Sequence, residues 1–222
     1  MVYDRGTKWL DCFPVPDKTG DEAYEALNQL AGPKDNVLYF YIDNAPEHMK
    51  AARDLGWKPG TSTPGRPETN GVAEAAVKRV TRNTTSVLDQ AGLTPEWWPM
   101  AARHYRFSQN IVGKGESPFN ARHGSNFSGK IIPLGALVEF RPSNTRESAP
   151  KFSTKSTPGI FLGYHLLPGG KWKGDYLVSE LEEFRKGKTP GNISTQRVQE
   201  VAITHKWFFP LKKQYEQSRN IG

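Results

Sequence analysis

Apolar positions in the first part of the chain recur at helical and extended spacings, and these spacings predict alternating helices and strands. Residues 21–31 carry apolar side chains on one helical stripe, which Gly32 ends. The runs 7–15 and 37–42 are short and rich in apolar residues, so both are predicted as strands and the second as a buried one. A further helix is predicted over residues 46–55. Such alternation is typical of an α/β layer.

Longer helical patterns follow. A helix is predicted over residues 71–91, closed by Gly92, and a second one begins at Thr94-Pro95, with proline in its first turn. A short helix is predicted from Ser117 to its terminator Gly124. The side chains predicted to face the core on the two longer helices are Val72, Ala76, Val80, Val87 and Leu88, and then Trp97, Trp98, Met100, Ala101, Tyr105 and Phe107.

From about Pro133 the pattern changes to short β-like runs separated by Gly, Pro and Ser clusters, which predicts a small β-barrel-like module. A polar segment over residues 141–157 is predicted as a loop, and residues 206–222 as an aromatic and then basic tail. The chain is therefore divided into a core over residues 1–130, a β module over 131–185 and a C-terminal extension over 186–222. The predicted strands are 136–140, 159–164, 176–179 and 198–203.

Two carboxylates stand at positions where chemistry is expected. Asp43 follows directly on the strand over 37–42, and α/β sheets keep their ligands at the carboxyl ends of strands. Glu74 lies one turn into the helix over 71–91. Taken alone, each has a simpler explanation: Asp43 as a turn residue, and Glu74 as a first-turn acid paired with Lys78.

The order of the surrounding motifs is more specific than either acid. It resembles the integrase core of copia-type (Pseudoviridae-like) retrotransposons, in which an Asp-Asn step, a Ser-x-Pro loop and an Asn-Gly-Val-Ala-Glu helix start follow one another. The matching residues are Asp43-Asn44, Ser62-Thr63-Pro64 and Asn70-Gly71-Val72-Ala73-Glu74, with further matches at Asp4-Arg5, Trp9, Trp97-Trp98, Ala101-Ala102, Asn110, Lys151-Phe152 and 159–164.

This resemblance implies a ribonuclease H-like core, a mixed sheet flanked by helices with its first strand missing, followed by an SH3-like β-barrel. It implies DNA integration by polynucleotidyl transfer, which comprises 3′-end processing and strand transfer. Asp43 and Glu74 would be catalytic metal ligands, because Mg²⁺ or Mn²⁺ takes carboxylate oxygens and two ions serve this chemistry. The implied partners are DNA, both element ends and target, and further copies of the chain.

The sequence departs from the family pattern in several places. The family's first catalytic Asp lies on a strand before Asp4-Arg5, and neither Asp4 nor Asp11 is expected to replace it. Ala45 and Ala75 stand where Gly and Arg are usual, and 30 residues separate Asp43 from Glu74. A catalytically inactive DNA-binding remnant of a retrotransposon polyprotein is therefore the alternative, and a chain that does not fold alone is a third possibility.

The net charge of +7 favours a polyanionic partner, although solubility explains it equally well. Residues 1–130 carry 16 basic and 15 acidic side chains, whereas residues 131–222 carry 14 and 8, so the excess lies in the last part. Near the acids, a solvated helix face or a helix cap is the alternative to DNA contact. The candidate DNA-binding residues are Lys78, Arg79, Arg82, Arg66 and Asn70.

Cysteine usage and hydropathy bear on the compartment. Cys12 is the single cysteine, which excludes an internal disulfide and, with five scattered histidines, a His-His-Cys-Cys zinc module. The sequence shows neither a secretory leader nor a membrane span. We therefore expect an intracellular protein, nuclear or cytoplasmic, that is not secreted and has no membrane partner.

Overall fold

The computed structural model describes residues 1–33, 37–42, 45–61, 71–113, 115–142, 156–203 and 206–219. The chain divides into two compact units, and both contain helices and β structure. The boundaries predicted at residues 130 and 185 stay predictions. Unit 1 consists of Met1–Arg79, Asn110–Asn126 and Leu166–Lys173, and unit 2 of Val80–Gln109, Phe127–His165 and Gly174–Gly222.

Two helices of unit 1 pack against each other. Helix α1, Gly20–Ala31, begins where the Thr19 side chain accepts a hydrogen bond from the Glu22 N–H at 3.2 Å. It ends as predicted at Gly32, whose φ of 65° is readily reached only without a Cβ. Helix α2, Pro46–Asp54, begins at a proline. Their contact buries Ala23, Leu27 and Ala51, with Phe40 and Trp57 packed against them.

The N-terminal strands are much shorter than predicted. Strand β1, Val2–Tyr3, pairs antiparallel with β2, Leu10–Asp11, and no longer strand forms over 7–15 within the described residues. A tight turn explains the difference. The Asp4 carboxylate accepts the Gly6 N–H at 2.8 Å and the Thr7 hydroxyl at 2.5 Å, and these side-chain bonds compete with an extended ladder.

Strand β3, Phe40–Ile42, pairs in parallel with β4, Pro59–Thr61. The prediction of a buried strand over 37–42 was wrong in both length and burial. Phe40 packs toward helices α1 and α2 and Ile42 is 7% exposed, whereas Tyr39 and Tyr41, on the alternate face, are 64% and 42% exposed. The run is apolar throughout, but only one of its two faces is covered.

A buried guanidinium links separate segments of unit 1. Helix α5, Pro118–His123, is capped by Ser117 and ends at Gly124 in the left-handed conformation, as predicted. From this helix Arg122 donates to the Leu30 carbonyl at 2.8 Å and to the Gly169 carbonyl at 3.0 Å. Its guanidinium also lies 3.8 Å from the Asp4 carboxylate and 5.3 Å from the centre of the Trp9 ring.

A second buried polar group holds strand β2. Asn110 lies near the end of helix α4, Trp98–Ile111, which follows a 3-10 turn at Pro95–Trp97. Its fully buried side-chain amide accepts the Leu10 N–H at 3.0 Å and donates to the Leu10 carbonyl at 2.8 Å. The amide thus pairs with strand β2 as a neighbouring strand would, and it satisfies both the backbone N–H and the backbone carbonyl of Leu10.

Helix α3 has the predicted bounds, Gly71–Ala91. Its buried side chains recur at helical spacing, but Val72, predicted for the core, is 53% exposed because the first turn of the helix is covered by nothing described. In α4, Trp97 at the preceding turn is buried, as are Tyr105 and Phe107, whereas Trp98 is 49% exposed and was wrongly predicted as core. The buried positions of α3 are Ala76, Val80, Thr84, Leu88 and Ala91.

Unit 2 contains a five-stranded sheet in the order β8-β7-β6-β5-β9. Residues 196–202 form both edges: β8 pairs antiparallel with β7, and β9, which begins three residues later, pairs antiparallel with β5. One short segment can reach both edges only if the sheet curls until they meet. A curled antiparallel sheet is thus present, and its SH3-like identity stays a prediction. The strands are β5 Leu137–Phe140, β6 Thr157–Leu167, β7 Lys171–Glu180, β8 Gln196–Val198 and β9 Val201–Ala202.

Two helices of unit 2 were missing from the sequence prediction. Helix α6, Leu181–Arg185, has only five residues, and α7, Pro210–Arg219, lies within the segment predicted as a tail. Both contribute to one apolar cluster. The Phe184 ring stacks on Trp97 with centroids 5.1 Å apart, and Leu211 of α7 is buried in the same cluster.

His104 of α4 is held neutral inside unit 2. Its Nε2 accepts the Leu134 N–H at 3.3 Å and lies 3.3 Å from the Ser108 hydroxyl, while its ring stacks on Tyr164. Among the described residues, Nδ1 is buried with no hydrogen-bond partner. Because burial removes water from the charged form, the pKa of His104 falls to about 4.

We expect Arg122→Ala to destabilise the protein by about 2–4 kcal/mol, because it leaves the buried carbonyls of Leu30 and Gly169 without their donor. The free energy of unfolding is measured in urea. Arg103→Ala, at an exposed position of α4, is the matched control and should change stability by about 0.5 kcal/mol or less. Equal effects of the two variants would contradict a structural role for Arg122.

His104 predicts a loss of stability in acid. The unfolded state binds the proton with a pKa of about 6.5 and the folded state only near 4, so stability is complete above 6.5 and falls as the pH drops toward 4. This one group accounts for roughly 3 kcal/mol over that interval. His104→Gln retains an acceptor for Leu134 but does not titrate, so its unfolding free energy should fall less between these pH values. An unchanged pH slope would contradict the prediction.

Candidate metal and nucleic-acid site

Strand β3 and helix α3 position the two predicted acids. Strand β3 ends at Ile42, the residue before Asp43, and helix α3 begins at Gly71, three residues before Glu74. The strand that precedes Asp43 and the helix that carries Glu74 are therefore present, as predicted. Asp43, Asn44 and residues 62–70, which include the candidates Arg66 and Asn70, lie outside the described residues.

Glu74 is exposed in the first turn of α3, where the helix dipole favours a negative charge. Lys78 and Arg82 follow at successive four-residue steps and are exposed as well, while Arg79 is exposed on an adjacent row. The buried row begins at Ala76 and Val80, on the other side of the helix. The helix thus presents one acid and three bases to solvent.

The alternative explanation of Glu74, an ion pair with Lys78, has no support in the geometry. Exposed pairs at this spacing stabilise helices only weakly in any case. Within the described part of the chain, neither Glu74 nor Lys78 forms an ion pair.

The two nearby N-terminal acids have structural partners instead. Asp4 accepts two hydrogen bonds in its own turn and faces Arg122. The buried Asp11 carboxylate accepts the Trp9 indole N–H at 3.2 Å and the Cys12 N–H at 2.8 Å. These contacts explain why each acid stands where it does without a metal.

A hard divalent cation needs several oxygen ligands, and three acids are the predicted number. Among the described residues, no group of three or more His, Cys, Asp or Glu side chains lies close enough together to hold a metal ion. The donor type of Glu74, an exposed carboxylate, fits Mg²⁺ or Mn²⁺. The metal site built from Asp43 and Glu74 stays a prediction.

One exposed surface beside the predicted site was missed from the sequence. Tyr39 and Tyr41 lie on the uncovered face of the sheet formed by β3 and β4. The segment Tyr39-Phe40-Tyr41-Ile42 alternates hydroxyl-bearing with purely apolar side chains, and that alternation is the signal of a one-sided strand. Because the run is apolar overall, it was predicted as a strand buried on both faces and this alternation was overlooked.

No helix in the described ranges is long and apolar enough to pass through a membrane.

No family model matches the sequence. The fold is similar to that of a chain in the cryo-EM structure of the simian T-cell lymphotropic virus intasome in complex with PP2A regulatory subunit B56 gamma. The match has a TM-score of 0.44 and 13% sequence identity, and it covers 90% of this chain and 70% of that one. A likeness at this level assigns neither an activity nor a site residue.

Proposed function

We propose that this chain is part of a copia-type retrotransposon integrase, a metal-dependent polynucleotidyl transferase that joins element DNA to target DNA. The observation that carries the proposal is the placement of Glu74. It stands exposed in the first turn of α3, on a face that continues with Lys78 and Arg82. The ordered motifs from Asp43 to Glu74 supply the reaction class.

Asp43 and Glu74 would hold Mg²⁺ or Mn²⁺ together with a third acid, which the resemblance assigns to a strand preceding Asp4. Bound metal ions would activate an attacking oxygen and stabilise the leaving one. The chain itself would contribute one carboxylate on a helix and another directly after a strand. Rigid elements of this kind hold ligands more accurately than loops do.

Lys78, Arg79 and Arg82 would contact DNA phosphates next to the acids. Phosphate contacts from Lys and Arg position a duplex without reading its sequence, which suits an enzyme that joins DNA to many targets. Arg66 and Asn70 are further candidates for the same role. Further copies of the chain are proposed partners, and the nucleus or cytoplasm is the proposed compartment.

A second candidate is a noncatalytic DNA-binding remnant. The exposed basic face of α3 favours it, because phosphate binding by Lys78, Arg79 and Arg82 requires no third acid and no metal. Both candidates predict salt-sensitive DNA binding, so only turnover separates them.

We expect the chain, joined to the preceding strand that would carry the third acid and given Mg²⁺ or Mn²⁺, to join an element-end duplex to a target plasmid. Asp43→Asn and Glu74→Gln should each lower the yield of joined DNA by about a hundredfold or more, because each removes a metal ligand. The product is measured on gels with a labelled duplex. Asp89→Asn, an exposed acid on the same helix, is the matched control and should retain activity. DNA binding without turnover would reject the enzyme and favour the remnant.

DNA affinity should depend on the basic face of α3. Each phosphate contact contributes about 0.9 to the slope of log affinity against log salt concentration, so Lys78→Gln with Arg82→Gln should reduce that slope by about 2. Fluorescence anisotropy with a labelled duplex at several salt concentrations measures it. Lys18→Gln with Lys58→Gln removes the same charge at exposed positions outside α3. Equal slopes for the two double variants would show that the α3 face does not contact DNA.

A further inference from the structure

The uncovered face of strand β3 carries two tyrosines. Tyr39 is 64% exposed and Tyr41 is 42% exposed, and a spacing of two residues places both on the same face. Phe40, between them, points to the opposite face, where its ring meets Trp57 edge to face at 5.3 Å. The inner face of β3 is therefore packed, while the outer face presents aromatic rings to solvent.

Strand β4 makes this outer face flat. Gly60 is the register partner of Tyr41, and it adds no side chain to the surface. The Tyr39 phenol ring lies over Gly60, so closely that a Cβ at this position would collide with the Tyr39 hydroxyl and come within 3.0 Å of Cε2. Because the bare backbone receives the ring, the surface is a shallow aromatic platform.

We infer that this platform, Tyr39, Tyr41 and Gly60, stacks unpaired bases at the end of a DNA substrate. The inference rests on the proposed function. Tyr41 is two residues before Asp43, so their Cα atoms are within about 7.6 Å of each other along the chain. A base stacked on Tyr41 would thus belong to a nucleotide next to the phosphate that the acids would act upon.

The chemistry of the face favours a nucleobase over a second copy of the chain. Aromatic rings accept bases of any sequence because every base has a π-face. The exposed Lys78 and Arg79 of α3, in the same unit, would attract a polyanion that carries unpaired bases. Tyrosine also carries a hydroxyl that remains hydrated beside a wet, charged substrate.

The test uses a fluorescent adenine analogue placed either in a short 3′ overhang or inside a blunt duplex. We expect the full chain to quench the overhang analogue on binding and to prefer the overhang DNA. Tyr39→Ala with Tyr41→Ala should abolish the quenching and weaken overhang binding by about tenfold, leaving blunt-duplex affinity unchanged. Tyr39→Phe with Tyr41→Phe should retain both effects, since stacking needs only the rings.

Two further variants sharpen the result. Gly60→Ala displaces the Tyr39 ring without removing it and should reduce the quenching. Trp98→Ala removes an aromatic side chain that is 49% exposed elsewhere and should leave the quenching unchanged. Circular dichroism and cooperative unfolding establish that each variant is folded.

Several outcomes would overturn the inference. Undiminished quenching by the folded double alanine variant would show that the tyrosines do not stack bases. The wild type could instead form concentration-dependent dimers that the same substitutions dissociate while the quenching stays unchanged. That result would identify the face as a self-association surface. If the wild-type protein shows no salt-sensitive binding to either DNA, blunt duplex included, the proposed function itself is rejected. If the wild type binds both DNAs but shows no preference for the overhang, only this inference is rejected.

Discussion

The guanidinium of Arg122 cross-links segments of unit 1 that also pack together through the Trp9 ring and through the contact of α1 with the turn at Gly169. The last carbonyls of a helix lack intrahelical donors, and Arg122 supplies one to Leu30 at the end of α1. A second bond fixes the turn carbonyl of Gly169, and the same charge faces Asp4 above the Trp9 ring. Helix α1 packs on α2, and α2 contacts β3. Arg122 therefore contributes, through two packed helices, to the position of the strand that leads to Asp43.

The consequence for β3 is a strand with two unlike faces. Helices α1 and α2 cover the side of Phe40, and nothing described covers the side of Tyr39 and Tyr41. A two-stranded parallel sheet with one open face is unusual, since parallel strands are ordinarily buried on both faces. Under the proposed function, a ligand held by Asp43 would lie within two residues of Tyr41 along the chain and so beside the open face.

The sequence correctly predicted features that depend on contacts between residues close together in the chain. The bounds of α1 and α5 followed from capping residues and from glycines, because those contacts lie within one turn of the helix end. Burial failed where it depends on distant partners: the outer face of β3, Val72 and Trp98 have apolar side chains but no described cover. The strand predicted over 7–15 does not start at residue 7, because the side-chain bonds of Asp4 form a turn there. Helices α6 and α7 were missed because, among their described side chains, each has one buried leucine and therefore no periodic pattern.

Three acids of this chain, Asp4, Asp11 and Glu74, differ in how the fold uses their carboxylates. Asp4 and Asp11 accept hydrogen bonds from defined donors, and the turn and strand around them depend on those bonds. Glu74 has an exposed side chain on a helix whose buried row begins two residues later, so the fold gains little more than a dipole interaction from it. Periodicity explains why a polar residue stands there, and the helix dipole favours an acid at this position. The proposed metal and DNA contacts would add a common role for this carboxylate and the two bases that follow it on the same face.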